Sequence, residues 1–575
     1  VEIRKFIKVE LVMANEFLKE FTPKVLTILK QGYKLNHLLS DITSGFIVAI
    51  IALPLSMAFA IASGVSPERG LYTAIIGGVI ISLLGGCRYQ IGGPAGAFIV
   101  VIYNIVYRQG LDGLLIAGFM AGVLLMFFGF LRLGSVIKFI PYPVTKGFSA
   151  GIAVIIFVTQ INDFLGLGIK NVPSDFLEKI PAYIDNFSHI DFYATIIGIV
   201  SILIIVSAKR ITLKIPGPFI AVIFGILAIK VLHLPIETIE DRFGNIPSNL
   251  TLLNFPEITI ERIKQLFPDA ITIAVLGAIE SLLSAVVADG MTGEKHKSNM
   301  ELVAQGAANI IVPIFGGIPA TGTIARTAAN IKNQAYSPLS GVFHSIWLLL
   351  FMLFLTPLIV KIPFATLGAI LIVVAYNMSE VEHIKNLFKA PKSDIIVFLS
   401  TFLLTVLIDL NVAVQVGLLL AVLLFMRRMI TLTDVKNINI ELDKGEDESG
   451  VPLEDKDAIY NKKIPKNVDV YELNGPFFFG VADKVKHTLT SLKSYPKVFI
   501  LRMRNVPMLD ATGLHALTEI CKDYKNRGTK VILSGVSPYV KSLLLKGNID
   551  KIIGEENITD HIDKALELAD KYLKN

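Results

Sequence analysis

The residues best placed to do chemistry lie in two short stretches that interrupt long apolar runs. In the first half of the chain, "LPLSMAFAIASG" (residues 53–64) precedes a helical pattern ending "SLLGG" (82–86), followed by "IGGPAGAFIV" (91–100). In the second half, "GAIESLLSAVVAD" (277–289) precedes a pattern ending "PIFGG" (313–317), followed by "IPATGTIARTAANI" (318–331). The spacing agrees, because Pro94 lies 40 residues after Pro54 and Pro319 lies 39 after Glu280. Gly- and Pro-broken hydrophobic stretches at corresponding places in two halves mark discontinuous helices that meet near the middle of a bilayer. Helices starting near Pro94 and Thr321 would aim unpaired backbone N–H groups and two positive dipole ends at one place, which suits a small anion. Gly92, Gly93, Gly96 and Gly322 would let the backbones approach, and the hydroxyls of Thr321 and Thr323 would add donors. Small residues also serve close helix packing in lipid; the matched placement favours a binding site.

Glu280 is the most informative single residue. An ionisable group inside an apolar helix is costly in lipid and marks an ion or proton pathway. Glu280 is therefore expected to gain and lose a proton, with Ser281 and Ser284 hydrogen-bonding it or helping to hold a cation. A proton carried with an anion would cancel part of the transported charge. His344 is the other titratable group in an apolar run, and packing is its expected role. The two cysteines, Cys87 and Cys521, are too few for a disulfide framework or a Cys-based metal site. No nucleophile–base pair or metal-ligand spacing stands out, so no enzyme, metal or cofactor is expected.

The elements that must hold these residues are membrane helices. Hydrophobic residues make up 53% of the 575 residues and charged ones 18%, against about a quarter charged in soluble domains. Apolar windows near the roughly 20 residues that cross a bilayer fall at 44–63, 70–86, 111–131, 146–165, 190–207, 217–233, 266–288, 299–315, 337–360, 394–410 and 411–430. Shorter or interrupted segments begin near Pro94, Thr321 and Phe364. Counting them gives fourteen, a repeat of seven plus seven. Lys and Arg gather on one set of connections, including Arg88, Arg132, Lys146, Lys295, Lys297, Lys385 and Arg428. By the positive-inside rule both termini are then cytoplasmic, as in a multi-pass protein of the plasma membrane, here a prokaryotic inner membrane. No cleavable signal is read in residues 1–40; instead "FLKEFTPKVLTILKQGY" (17–33) is expected as an amphipathic surface helix.

The run "AIESLLSAVVADGMTGEKHKSNMELVAQGAANIIVPIFGGIPATGTIARTAANIKNQAYSPLSGVFHSI" (278–346), with "LPLSMAFAIASGVSPERGLYTAIIGG" (53–78), resembles the SulP family of sulfate permeases and related anion transporters and exchangers. The resemblance implies an α-helical membrane protein of two inverted repeats. Segments one to four and eight to eleven would form a core domain and the remainder a gate domain. It places the substrate site on Phe59, Ala95 and Gly96 and on Thr321, Gly322 and Thr323, with the aromatic at 59 walling the site. Arg326 matches an arginine that adds positive potential near the site in some members. The sodium-coupled bicarbonate branch has Asp and Thr where this chain has Glu280 and Ile324, which argues against sodium and for protons.

Residues 439–457, "NIELDKGEDESGVPLEDKD", read as a charged linker. Beyond it, "VDVYELNG", "KVFILRM" and "KVILSG" read as strands, while "ADKVKHTLTSLKSY", "GLHALTEICKDYKNRG" and "DHIDKALELADKYL" read as helices. This part resembles a STAS domain, most specifically in "PMLDATGLHAL" (507–517), and Thr512 matches the residue phosphorylated in anti-sigma factor antagonists. Four segments are thus expected: an N-terminal cytoplasmic stretch (1–40), a transmembrane anion-transport domain (41–430), a linker (431–466) and an α/β STAS domain (467–575). The expected function is secondary active, proton-coupled transport of a small anion of the sulfate, bicarbonate, chloride or dicarboxylate class, in a homodimer whose STAS domain meets a cytoplasmic partner. The alternatives are an anion-responsive sensor signalling through the STAS domain, and a nucleobase permease of the same fold. Nucleic acid is not an expected partner.

Overall fold

A computed structural model describes residues 19–574 apart from 136–140, 170, 171, 174, 212–214, 254, 409, 439–461 and 491–494. The chain falls into two compact units, Val1–Leu418 and Leu419–Asn575.

In the first unit every apolar window carries a helix. Those that position the site are α1 (Lys24–Lys30), α2 (Leu35–Ala62), α3 (Pro67–Leu84), α4 (Gly96–Phe130), α5 (Tyr142–Thr159), α6 (Phe176–Asp185), α7 (Phe192–Ile211) and α8 (Gly217–Leu232). The second half supplies α9 (Ile260–Thr292), α10 (Ser298–Ile311), α11 (Ile324–Lys332), α12 (Leu339–Ile359), α13 (Phe364–Ser379) and α14 (Lys392–Leu407), and α15 (Leu410–Leu432) leads into the second unit. Among the described residues, eight helices are long and apolar enough to cross a membrane, and α7 and α8 are shorter apolar ones. The expected surface helix does not run unbroken from 17 to 33. Residues 17 and 18 lie outside the described residues, and Pro23, which has no N–H to continue a helix, opens α1 as its N-cap.

The helices pack as two groups. The packing of α4 on α9 and α10, of α2 on α12, and of α11 on α9 builds one group; α5 on α13 and α14 and α7 on α8 build the other. The contact of α4 with α10 is backbone on backbone. A Cβ added at Gly122 would lie 2.7 Å from Ile310 N, and one added at Gly306 would lie 2.6 Å from Met126 N. Close approach of this kind is how helices gain dispersion energy in lipid, where water supplies no drive to associate.

Two segments are extended where membrane helices are interrupted: β1 (Gly92–Gly93) and β2 (Thr321–Gly322), paired antiparallel as Gly92 with Gly322 and Gly93 with Thr321. The half-helices therefore begin at Gly96 and Ile324 rather than at Pro94 and Thr321. The difference has a physical cause: residues at 92–93 and 321–322 give their backbone groups to each other. The first half-helix ends at Gly110, whose backbone (φ 65°, ψ −171°) is non-helical, and a second helix of α4 follows it directly as the next span.

Polar side chains hold both crossings. On α10, Glu301 accepts from Gly86 N at 2.9 Å and Cys87 N at 3.0 Å, upstream of β1. Asn309 clamps Ala320 before β2, accepting from its N–H and donating to its carbonyl, each at 2.8 Å. Thr73, in a π-helical turn of α3, accepts from Ile318 N at 2.8 Å.

In the second unit the sheet order is β3 (Asp434–Asn437), β4 (Val468–Asn474), β5 (Val498–Asn505), β6 (Lys530–Ser534), with β3 antiparallel and the others parallel. Parallel strands buried on both faces alternate sides with a period of two. Thus Tyr471, Leu473, Phe499 and Leu501 pack under α16 (Phe479–Thr490) and α17 (Ala511–Asn526), while Val468, Val470, Val498 and Ile500 pack under α19 (Ile562–Lys574). A further helix, α18 (Pro538–Lys546), follows β6. The three expected strands and three expected helices are present; β3 and α18 were not read from the sequence. Strand β3 lies within 431–466, the stretch expected as linker, and the charged run 439–457 lies outside the described residues. Cys87 and Cys521 are both free and buried.

The α4–α10 contact yields a first prediction. Gly306→Val places branched carbons against the backbone of Met126 and should cost about 2 kcal/mol or more. The expected result is a clear drop in the thermal midpoint of the detergent-purified protein, with Gly290→Ala, where a Cβ meets nothing within 4 Å, close to the parent.

Candidate functional site

Each half-helix starts from an extended N-cap residue, Ala95 (φ −126°, ψ 149°) and Thr323 (φ −108°, ψ 119°), and neither start has a side-chain cap. The first-turn N–H groups of a helix have no i−4 partner within it; of those here, Phe98 N donates instead to Ala95 O at 3.1 Å. Because the β1–β2 ladder is antiparallel, the two helices leave it in opposite directions, and both positive dipole ends stay at the crossing.

The hydroxyls expected to add donors are committed elsewhere. Thr323 gives both its N–H and its Oγ1 to Ile91 O, each at 3.0 Å. Thr321 Oγ1 donates to Gly277 O at 3.1 Å and lies 2.7 Å from Ser281 Oγ, which accepts from Gly322 N at 3.1 Å. These threonines fasten the crossing to α9 and to the other repeat, and the groups left for a ligand are backbone N–H groups. Ser284 donates to Thr327 Oγ1 at 3.1 Å rather than to Glu280. The expected Glu280–Ser281–Ser284 cluster is therefore split: both serines serve the crossing.

Arg326, on the first turn of α11, is 1% exposed. Its Nη2 donates to Ser56 Oγ at 3.2 Å and Pro94 O at 3.3 Å, and its Nη1 has no acceptor. No carboxylate of a described residue pairs with it. The guanidinium fits because residue 93 is glycine; a Cβ there would lie 2.4 Å from Nη1. A buried charge without a counter-charge is costly, and a bound anion would remove that cost.

Phe59 is buried on α2 and approaches Gly96, where an added Cβ would lie 3.5 Å from its ring and 3.1 Å from Met378 Sδ of α13. The two side chains come from different helix groups and close on the first half-helix from both. Met378 was not read from the sequence, since a methionine in an apolar helix carries no signal of what it faces. Gln90 was also missed. Both its side-chain polar atoms are buried without a partner, and a Cβ on Gly322 would lie 1.7 Å from its Nε2.

Glu280 makes no hydrogen bond among the described residues. The charges that act on it are Lys146 and Glu380, which form an ion pair with each other. Both belong to the other helix group, Lys146 on α5 and Glu380 just after α13. His344 is fully buried, and neither ring nitrogen has a partner. In the second unit Thr512 is exposed on the first turn of α17. Beside it, Asp510 accepts from Gly513 N at 2.7 Å and Phe479 N at 3.0 Å.

The sequence profile of the sulfate permease family matches residues 38–401. The chain belongs to this family. The STAS domain profile matches residues 460–565. Among individual relatives, YvdB of Bacillus subtilis strain 168, named as a candidate sulfate transporter, is 41% identical over 93% of this chain and 98% of its own. The bicarbonate transporter BicA of Synechocystis is 29% identical over 93% of this chain and 94% of its own. Of solved structures, the transmembrane domain of a cyanobacterial BicA matches with a TM-score of 0.60 at 29% identity, covering 68% of this chain and 98% of that one. Murine Slc26a9 matches with a TM-score of 0.85 at 18% identity, covering 97% and 95%. The fold is therefore that of a helical membrane transporter with a C-terminal STAS domain, and the family is one of anion transporters rather than enzymes.

Arg326 yields the second prediction. Arg326→Gln should weaken anion binding to the purified protein by about 10- to 100-fold, the worth of a hydrogen bond to a charged group. Arg326→Lys should retain part of it. Titration calorimetry with sulfate and bicarbonate measures both, and equal affinity in parent and Arg326→Gln would remove the guanidinium from the site.

Proposed function

We propose that the chain is a proton-coupled secondary active transporter of small anions, of the sulfate, bicarbonate, chloride or dicarboxylate class. The observation that carries this reading is a buried, carboxylate-free Arg326 where two uncapped half-helix starts meet. Backbone N–H groups at the starts of Gly96–Phe98 and α11 would take the anion's oxygens, with Phe59 and Met378 as walls. Relatives named for sulfate and for bicarbonate support an oxyanion without choosing between them.

In this reading α2–α4 and α9–α12 form a core that carries the site past a gate of α5, α7, α8 and α13–α15; with α4 counted as two segments, one on each side of Gly110, they make fourteen, with both termini cytoplasmic. Core motion would change how Glu280 meets the Lys146–Glu380 pair of the gate, and a proton taken by Glu280 would travel with the anion. Sodium is disfavoured because Ile324 brings no oxygen to the start of α11. The STAS domain acts as the regulatory and assembly module of a homodimer, and a phosphate on exposed Thr512 would sit at the N-terminus of α17, where negative charge is favoured.

Uptake into proteoliposomes under imposed gradients tests the coupling. A proton gradient should drive accumulation in the parent and a sodium gradient should not. Glu280→Gln should keep anion-for-anion exchange and lose the proton-driven part. Sodium-driven uptake in the parent, or proton-driven accumulation that survives in Glu280→Gln, would sink the mechanism.

A further inference from the structure

A cavity carrying two cations and one carboxylate lies near the first half-helix. It has a volume of about 380 Å³ and is lined by Ala62 at the end of α2, Tyr103 and Arg108 on α4, Thr159 on α5, and Asp175 and Lys179 at α6. Ala62 is three residues beyond Phe59 on α2, about 4.5 Å of helix rise. The cavity also reaches Ile99, one residue past Phe98 of the first half-helix turn. It therefore lies less than one helical turn from the wall of the site already described, and both helix groups line it.

Its unusual member is Lys179, which is 3% exposed. Buried lysines are almost always paired, yet no carboxylate of a described residue lies within 4 Å of this one. Its ammonium has three donors, of which one reaches Thr159 Oγ1 at 3.3 Å, and it stands 5.3 Å above the Tyr103 ring. Asp175 acts on it electrostatically from beyond 4 Å while its Oδ1 caps α6 by accepting from Leu177 N at 2.8 Å, and among the described residues only Thr159 accepts a hydrogen bond from the ammonium. Arg108 on the same cavity is paired with Asp269 at 3.0 Å and is half exposed, so it forms a neutralised rim rather than a second buried cation.

We propose that this cavity is a second anion site, a waypoint in which the Lys179 ammonium captures a small oxyanion or halide on its way to the half-helix ends. The inference rests on the transport reading above and adds a residue and a pH window to it. Burial lowers the Lys179 amine to about 8, so the ammonium is largely present at pH 7 and lost as pH rises through about 8. Capture should fade over the same interval. The titratable or charged groups facing Lys179 are Asp175 and Tyr183 on its own helix and Tyr103, Tyr107 and Arg108 on α4; α5 and α14 present Thr159 and Thr405–Ile408, which do not titrate. An ordinary carboxylate has finished titrating well below pH 7, and a tyrosine begins only near 10.

The test uses the full-length purified protein and reads the reactivity of the Lys179 amine. Labelling by an amine reagent, followed by mass spectrometry, is measured at pH 8 with and without sulfate, bicarbonate or chloride, in the parent and in Arg326→Gln. The expected result is at least a threefold slowing of Lys179 labelling by one of these anions in both proteins, since the waypoint does not need Arg326. Labelling indifferent to all three anions would overturn the proposal, whatever the protein transports. In proteoliposomes, Lys179→Gln should raise the KM for the anion about tenfold, the worth of one hydrogen bond to a charge. Its kcat should stay near the parent's, and Lys179→Arg should restore the low KM and carry it unchanged beyond pH 9. A KM and pH profile unchanged in Lys179→Gln would equally overturn the waypoint, while leaving transport by the parent intact as a separate result.

Discussion

A chain inside a bilayer has no water to satisfy its N–H and C=O groups, so a helix that breaks there must find every partner within the protein. This chain breaks twice. The β1–β2 ladder satisfies Gly92–Gly93 and Thr321–Gly322 with each other, and the loops leading into the ladder are held by Thr73, Glu301 and Asn309. At the crossing the backbone groups left open are those of the first turns of the two half-helices, and the Gln90 side chain beside them also lacks a partner among the described residues. The buried polar groups of α10 thus have a common purpose, which is to make an unpaired helix start affordable at this one place.

Electrostatics then decides what fills it. Two positive dipole ends alone would attract an anion weakly in water, but here they act in a low-dielectric surrounding with a guanidinium that no carboxylate among the described residues pairs with. Arg326 reaches the crossing only because residue 93 has no side chain, which ties a backbone requirement of the first repeat to a charge of the second. The walls divide in the same way: Phe59 belongs to one helix group and Met378 to the other, so relative motion of the groups would open or close the first half-helix start. Lys179 extends the same logic outward, as a buried cation that touches a hydroxyl and an aromatic face and has no carboxylate within 4 Å among the described residues.

Much of this was legible in the sequence, for reasons that can be named. Helix interruption in an apolar run leaves Gly and Pro as visible marks, so both crossings, and Ala95 and Thr323 within them, stood out from spacing and resemblance. The three parallel strands of the second unit were equally readable, since apolar runs bounded by turn residues leave little choice. What failed depended on distant partners. The hydroxyls of Thr321 and Thr323 looked like ligand donors because nothing in the sequence says that Gly277 O and Ile91 O wait for them. Ser284 looked like a partner of Glu280 at helical spacing and instead meets Thr327. Gln90, Met378 and β3 have no local signal, because each owes its position to a segment remote in sequence.

The most direct test of the central claim, that an anion sits between the two half-helix starts, is to locate it. Selenate, which has the shape and charge of sulfate and scatters anomalously, would be bound to crystals of the protein in a lipid phase. The account predicts an anomalous peak within about 3.5 Å of the N–H groups of Gly96 and Ala97 and of Ile324–Arg326, near Arg326 Nη1. A peak only elsewhere, with this place empty in a protein that transports selenate, would contradict it.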